Sequence, residues 1–416
     1  MTWMKTMKTS LTEESYDVFL GDDRVGFLNR KGDVTRFDFV EGYWDDAQRA
    51  VLGLHFEDNR SGRHKSMRLP PWFSNLLPEG KLREWIADAR KASIEREMEL
   101  LAQVGHDLPG AIRVFSSKDH TPLPQSDAID QLEIPPEGSG RLWSFSLAGV
   151  GLKFSMLATG DRLTAPAVGE NGDWIVKLPD QRHPHVPLNE YAMMFLAKEA
   201  GVEVPETRLV HRDELIELPA NVWPSNEKLA YAVKRFDRGA NRELIHIEDF
   251  AQVRGFYPNE KYNGSFETIA ALAYRGTDEN ALREFARRMA LNILIGNGDA
   301  HLKNWSLIYK DRRVPNLAPA YDIVSTFLYR PKVEGPEDMG LKFGRSKRFD
   351  KVNLEAFVSL EQKLNVKVNL ADVVMETVSK AIAAWPEVEQ TLSSDSEMAQ
   401  RIGEHLKMRA KQFGMK

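Results

Sequence analysis

The 416-residue sequence contains no cysteine. Disulfides, thiol nucleophiles and cysteine-ligated zinc are excluded at once, and the composition suits a reducing compartment. No apolar run approaches the roughly 18 residues of a membrane span. Internal repeats, heptads and long runs of one charge sign are also missing. Met1 to Ser10 carries lysines with no apolar stretch behind it, so no secretory signal is expected and the chain reads as cytoplasmic, away from membranes. There is no surplus of positive charge: 56 Lys and Arg against 61 Asp and Glu leave a net charge of −5, which does not advertise a nucleic-acid binder. What is present, 42% hydrophobic and 28% charged residues, is the composition of a folded globular chain rather than a disordered one.

The length allows two or three domains. Tyr16–Leu20, the turn Gly21-Asp22-Asp23 and Val25–Leu28 read as a β-hairpin. Pro70-Pro71 breaks the chain, Trp72-Phe73 opens a helical stretch with both rings expected in a core, and a second helix is expected over Ile94–Val104, stopped by Gly105. Residues 116–140, rich in Pro, Ser, Asp and Gly, read as a linker. Strands are then expected at Trp143–Leu147, Lys153–Ala158, Leu163–Ala165, Trp174–Leu178, Thr207–His211 and Leu229–Phe236, with a helix over Leu188–Ala200. Past Asp237 the periodicity turns helical. Leu282, Phe285, Ala286, Met289 and Ile293 share one helix face, and that helix ends at Gly296. Three more helical segments fill the chain from Leu354 onward. The expected plan is α+β: a β-rich lobe followed by an α-helical one.

Directly after Gly296 the chain reads Asn297-Gly298-Asp299-Ala300-His301-Leu302-Lys303-Asn304. Asp299 and Asn304 have the Asp-x₄-Asn spacing of a protein-kinase catalytic loop, in which the Asp accepts the proton of the acceptor hydroxyl and the Asn holds magnesium. Trp305–Lys310 and Val314–Leu317, with a turn at Asp311-Arg312, look like a hairpin leading to Tyr321 and Asp322, where a second carboxylate can return to the metal. Mg²⁺ asks for hard oxygen ligands, one or two carboxylates plus phosphates and water, and Asn304 with Asp322 meets that demand. Upstream, Lys177 ends an apolar strand and suits a phosphate, while Glu190 on the next helix can hold it in place. Taken singly these are a polar turn, a surface lysine and a helix N-cap. Their order along the chain carries the reading of an ATP- and Mg²⁺-dependent phosphotransferase. His183, His185 and His301 could be imagined as a metal site, but His301 is better read as a brace for the catalytic loop.

On these residues the sequence resembles the HipA toxin kinases of bacterial toxin–antitoxin pairs. The resemblance runs over nearly the whole chain through Tyr16–Leu28, Leu76-Leu77-Pro78-Glu79-Gly80, Asp107–Ala111, Lys177-Leu178-Pro179, Lys234–Arg238, His246–Asp249, Asp299–Asn304 and Tyr321-Asp322. It implies a bilobal protein-kinase-like fold: an extra N-terminal subdomain over 1–115, a linker over 116–140, a β-rich nucleotide-binding lobe over 141–236 and a helical catalytic lobe over 237–416. It implies Asp299 as catalytic base, Asn304 and Asp322 as Mg²⁺ ligands and Lys177 as the phosphate-binding lysine. Val233, Lys234 and Phe236 fall in the stretch beside adenine, and His301 and Tyr321 are expected at the nucleotide. The segment from Ser146 to Lys153 matches the family's phosphate loop, through Ala148, Gly149, Val150, Gly151 and Lys153. Ser146 matches the autophosphorylation site whose modification shuts the kinase down, and a phosphate there would repel the nucleotide. Ser144 would share a strand face with Ser146 and stays open as the modified residue.

The expected partners are a helix-turn-helix antitoxin of the HipB type, an aminoacyl-tRNA synthetase as protein substrate, and operator DNA reached through the antitoxin. One departure motivates a second reading: Gly151 stands where the family usually has glutamine, and apolar Leu152 follows. A weakened kinase acting mainly as a transcriptional corepressor is therefore an alternative. A small-molecule phosphotransferase is another, argued against by the Ser146 loop and the N-terminal subdomain.

Overall fold

The structure, a computed structural model, describes residues 13–60, 65–90, 93–118, 153–160, 162–164, 171–216, 218, 223 and 225–415. The N-terminal subdomain is built on an antiparallel five-stranded sheet: β1 (Glu13–Leu20), β2 (Asp23–Lys31), β3 (Val34–Phe39), β4 (Lys65–Ser66) and β5 (Ile112–Ser116), in the order β4-β3-β2-β1-β5. The hairpin turn falls at Gly21-Asp22, and Gly21 takes the positive φ (62°) that such a turn requires. Helices α1 (Leu54–Asp58), α2 (Pro71–Ser74), α3 (Gly80–Arg90) and α4 (Glu97–Val104) complete this unit. Its separate core gathers Val18, Leu28, Phe37, Phe56, Trp72, Phe73 and Leu101, so the two rings after Pro70-Pro71 are core residues. The helix expected from Ile94 starts at Glu97, whose buried carboxylate accepts from Arg68, Ser74 and the Leu69 N–H.

The second sheet has six strands: β6 (Lys153–Thr159), β7 (Arg162–Thr164), β8 (Trp174–Lys177), β9 (Thr207–His211), β10 (Leu215–Ile216) and β11 (Leu229–Lys234), in the order β10-β7-β6-β8-β11-β9. Helix α5 (Val186–Glu199) begins with Pro187 in its first turn and is buried almost all round, which fits a helix pressed between this sheet and the helical lobe. The expected strand at Trp143–Leu147, the linker beyond Lys118 and the loop from Ser146 to Leu152 lie outside the described residues.

Two features depart from the expected helical plan past Asp237. The short strand β12 (His246–Asp249) pairs with β13 (Ser306–Tyr309), which pairs with β14 (Asn316–Leu317). His-Ile-Glu-Asp does not look like a buried strand because three of its four residues are polar. His246, Glu248 and Asp249 are nonetheless buried, each held by specific hydrogen bonds. After Asp249 come α6 (Phe250–Arg254), α7 (Phe266–Tyr274) and α8 (Glu279–Ile295). The second departure is a hairpin of β15 (Asp338–Phe343) and β16 (Ser346–Arg348). The chain closes with α9 (Leu354–Leu364), α10 (Leu370–Thr391) and α11 (Ser396–Gln412), the three helical segments expected from the pattern.

The apolar face of α8 is the spine of the main core: Leu282, Phe285, Ala286, Met289 and Ile293 are all fully buried. At roughly 25 cal/mol per Å² of apolar surface, each of the four larger side chains contributes about 1.5–3 kcal/mol. No helix among the described residues is long and apolar enough to cross a membrane. The architecture is the mixed α/β kinase-like one: a β-rich lobe carrying an N-terminal subdomain, and a helical lobe.

Candidate active site

Lys177 ends β8, and the antiparallel register places Lys153 of β6 directly across from it. Two ammonium groups opposite each other repel, so the site must supply anions. Glu190 on α5, itself buried, accepts from Lys177 Nζ at 2.5 Å, and Asp322 accepts from the same nitrogen. Asp322 reaches this point from a backbone at φ 56°, the left-handed region that aspartate tolerates better than most residues. Burial alone would push Lys177 down, but Asp322 and Glu190 outweigh it and hold the ammonium above its ordinary value. Burial likewise acts to raise Asp322, yet Lys177 and Lys153 pull it far below the carboxylate range. Glu190 goes the other way, raised by burial against the pull of Lys177, and the Asp322 charge adds to the rise. Two carboxylates around one strong cation thus shift in opposite directions, Asp322 down and Glu190 up. Burial lowers Lys153, with the Asp322 charge opposing.

Helix α8 delivers the Asp299–Asn304 loop. It stops at Gly296 (φ 64°), where a Cβ would stand 2.9 Å from both His405 and Phe327, so the stop needs glycine on steric grounds too. Asn297 then turns its Oδ1 back to the Asp299 N–H (3.1 Å). The Asp299 side chain is about half exposed, at 56%. Its own carbonyl accepts from the His301 N–H (2.8 Å) and from Asn304 Nδ2 (2.9 Å). That last bond fixes the Asn304 amide and leaves Oδ1 as the atom that could ligate a metal. His301 packs edge-on against Tyr262 with ring centroids 5.1 Å apart. Burial lowers its pKa to about 4 despite Asp299, so it stays neutral near pH 7, and its buried Nδ1 finds no partner among the described residues.

Three contacts in this loop were not foreseen. Lys303, inside the Asp-x₄-Asn spacing, turns inward and donates to Asn75 O (3.0 Å) and Asn75 Oδ1 (2.9 Å), with Glu79 at 3.3 Å and Asp249 at 3.5 Å. Lys261 also meets Glu79, at 2.9 Å. The Tyr262 hydroxyl donates to Asp299 Oδ1 at 2.5 Å. The signal for Glu79 was its place in the Leu-Leu-Pro-Glu-Gly motif, and for Lys303 its place between the two catalytic candidates. Nothing in the sequence around Tyr262 marks it.

Asn304, Asp322, Tyr321, Asn292 and Asn297 line one recess. An amide oxygen and an ionised carboxylate, both oxygen donors, fit a hard divalent cation that fills its remaining positions with phosphate and water. No group of three or more His, Asp and Glu residues able to cage a metal occurs among the described residues. Tyr321 is fixed by its hydroxyl, which donates to Lys303 O (2.8 Å) and meets Ser306 Oγ (2.5 Å), and its ring faces Phe236 at 5.7 Å. Val233 is buried, whereas Lys234 is exposed and pairs with Glu206. The structure therefore brings Lys153, Lys177, Glu190 and Asp322 together, and sets Asn304 beside both Asp299 and Asp322. Ser144, Ser146, Ala148, Gly149, Val150 and Gly151 lie outside the described residues.

Comparison with known proteins agrees over both parts of the chain. Residues 16–115 match the HipA N-terminal domain and residues 145–385 the HipA-like C-terminal domain. Y4dM of Sinorhizobium fredii, whose name marks it as a candidate kinase, is 41% identical over 94% of this chain and 95% of its own length. The serine/threonine-protein kinase toxin HipA of Shewanella oneidensis is 28% identical over 78% of this chain and 77% of its own. A solved structure of the Shewanella oneidensis HipA, with HipB and operator DNA, superposes with a TM-score of 0.73 at 21% identity, covering 96% of this chain and 97% of that one. At that identity the superposition speaks to the fold.

Proposed function

The chain belongs to the HipA-like family, and from that premise we propose that it is a serine/threonine protein kinase acting as the toxin of a toxin–antitoxin pair. The observation that carries this reading is the convergence of Lys177, Glu190 and Asp322 beside the Asp299–Asn304 loop. Lys177, kept charged by two carboxylates, offers a fixed cation to the phosphates of ATP. Asn304 and Asp322 would hold Mg²⁺, which when bound neutralises charge on the phosphate oxygens. Asp299, half exposed and tied through its backbone to Asn304, accepts the proton of the acceptor hydroxyl. Catalysis here is positioning and electrostatics, and the residues needed for both sit on rigid strand and helix ends.

In this proposal the loop through Ala148, Gly149, Val150 and Gly151 covers the phosphates, and Ser146, or Ser144, is the autophosphorylation site. The partner is a HipB-type antitoxin through which operator DNA is reached, and the substrate is a protein of translation of the aminoacyl-tRNA synthetase kind. The test is a phosphoproteome after brief induction of wild type and of Asp299→Asn. Phosphate on a translation protein and on Ser146, both lost in the variant together with growth arrest, is the expected result. Equal arrest by both proteins would end the kinase-toxin reading.

A further inference from the structure

We propose that Tyr262 is a built-in mimic of the acceptor and that its phenol marks the acceptor subsite. The inference rests on the kinase reading of Asp299. A base that takes a proton from an alcohol must hold that oxygen within about 2.6–3.2 Å. One hydroxyl among the described residues already stands that close: Tyr262 Oη, 2.5 Å from Asp299 Oδ1, just under the lower end of that range. Burial and the Asp299 carboxylate keep the phenol above its ordinary value, so the proton stays on the tyrosine and the bond runs from phenol to carboxylate, as it would from serine or threonine.

The surroundings suit a group that holds this place and then leaves it. The backbone beneath Tyr262 is anchored: Lys261 is fixed to Glu79 at 2.9 Å, and its carbonyl accepts from the Leu302 N–H at 3.1 Å. The ring is not. Tyr262 is 42% exposed, rests edge-on against His301 on one side, and sits in the short connection between Glu260 and α7. A turn about its side-chain bonds frees Asp299 without moving the catalytic loop. The incoming group is then a serine- or threonine-bearing protein segment or, without one, water. Its hydroxyl gives its proton to Asp299 while its oxygen takes the γ-phosphoryl group of ATP. The bond from that phosphorus to ADP breaks, and the phenol neither gains nor loses an atom.

The mimic therefore suppresses wasteful transfer to water. The test is multiple-turnover release of inorganic phosphate from MgATP by the purified full chain, with no acceptor protein added. Tyr262→Phe keeps the ring against His301 and removes only the hydroxyl. It should raise that rate about tenfold, the size set by one hydrogen bond to a charged group, with the KM for ATP unchanged. Tyr262→Ala should raise it as well, and adding Asp299→Asn should abolish the gain in either. A rate that stays level or falls in both variants overturns the mimic and makes Tyr262 a support for Asp299. The kinase reading is tested separately, by MgATP binding to the wild type in calorimetry. Absence of binding removes that reading and this inference with it, whereas binding with unaltered turnover removes the inference alone.

Discussion

Two four-charge clusters, each with two cations and two carboxylates, serve opposite ends. One joins Lys153, Lys177, Glu190 and Asp322 at the candidate active site. The other joins Asp107 of the N-terminal subdomain to Arg235, Asp237 and Arg238, just past β11. In the second cluster the cations are guanidinium forks. Arg235 reaches Asp237 at 2.9 and 2.8 Å and Asp107 at 2.8 Å, and Arg238 reaches Asp107 at 2.8 Å. Backbone groups of Leu108 and Gly110 add further bonds to the same forks and to Asp237. Burial works against ionisation of Asp107 and Asp237, but the two arginines prevail and hold both below the ordinary carboxylate value. At the active site the cations are lysines, point charges without fork geometry, and the four groups are pushed in different directions. The arginine cluster is closed upon itself; the lysine cluster has charges that a phosphate or a metal could share. Planar, forked guanidiniums make a clamp, whereas compact and mismatched ammonium groups make a candidate site.

The largest effect separating the two should come from the clamp. Asp107→Ala leaves two buried guanidiniums with one carboxylate and should cost about 3–5 kcal/mol in urea unfolding. Lys177→Met should do the converse, lowering MgATP turnover by about 10²–10³-fold with a much smaller change in the urea midpoint. If Lys177→Met destabilises as much as Asp107→Ala, the division between clamp and site is wrong.

The pH dependence of stability should differ in sign. Asp107 and Asp237 are depressed below 3.8, so their contribution is full above that value and is lost only as pH falls through their lowered folded values. Glu190 is raised above 4.5, so the folded state holds its proton longer. Its contribution is full below 4.5 and fades as pH rises through the raised folded value. Thermal melts should show the gap between wild type and Glu190→Gln changing above pH 4.5, by at most about 1.4 kcal/mol per pH unit for one proton. The gap between wild type and Asp107→Ala should stay flat over the same range. The smallest effect belongs to an exposed pair, Arg312 with Asp23, both more than half exposed. Asp23→Asn should shift the unfolding free energy by no more than about 0.5 kcal/mol.

Legibility from sequence followed the same division. The face of α8 and its stop at Gly296 could be read because apolar spacing and a left-handed cap leave local marks. The meeting of Lys177, Glu190 and Asp322 was foreshadowed by their order alone, since residues 145 positions apart in the chain carry no local trace of contact. β12 was missed because His246, Glu248 and Asp249 are polar yet buried, and only tertiary hydrogen bonds make that tolerable. Glu248 shows the mechanism: it accepts from Trp72 Nε1 (3.0 Å), the Leu54 N–H (2.9 Å) and Tyr309, and burial still raises its pKa to about 7. Tyr262 was invisible for a further reason, that its partner Asp299 lies 37 residues away on another element.

The inward turn of Lys303 bears on how such a chain could be taken apart. The two family segments, 16–115 and 145–385, look like modules that could be cut and exchanged. Lys303 ends in the first of them, on Asn75 and Glu79, while its backbone belongs to the loop that carries Asp299. A graft that brings a foreign first segment without an asparagine and a glutamate at these two places would leave the Lys303 ammonium with Asp249 as its one remaining side-chain partner among the described residues, beneath the loop that carries Asp299. The N-terminal hundred residues thus contribute to the candidate site as well as to their own core, and swapping them between relatives exchanges part of that site's floor.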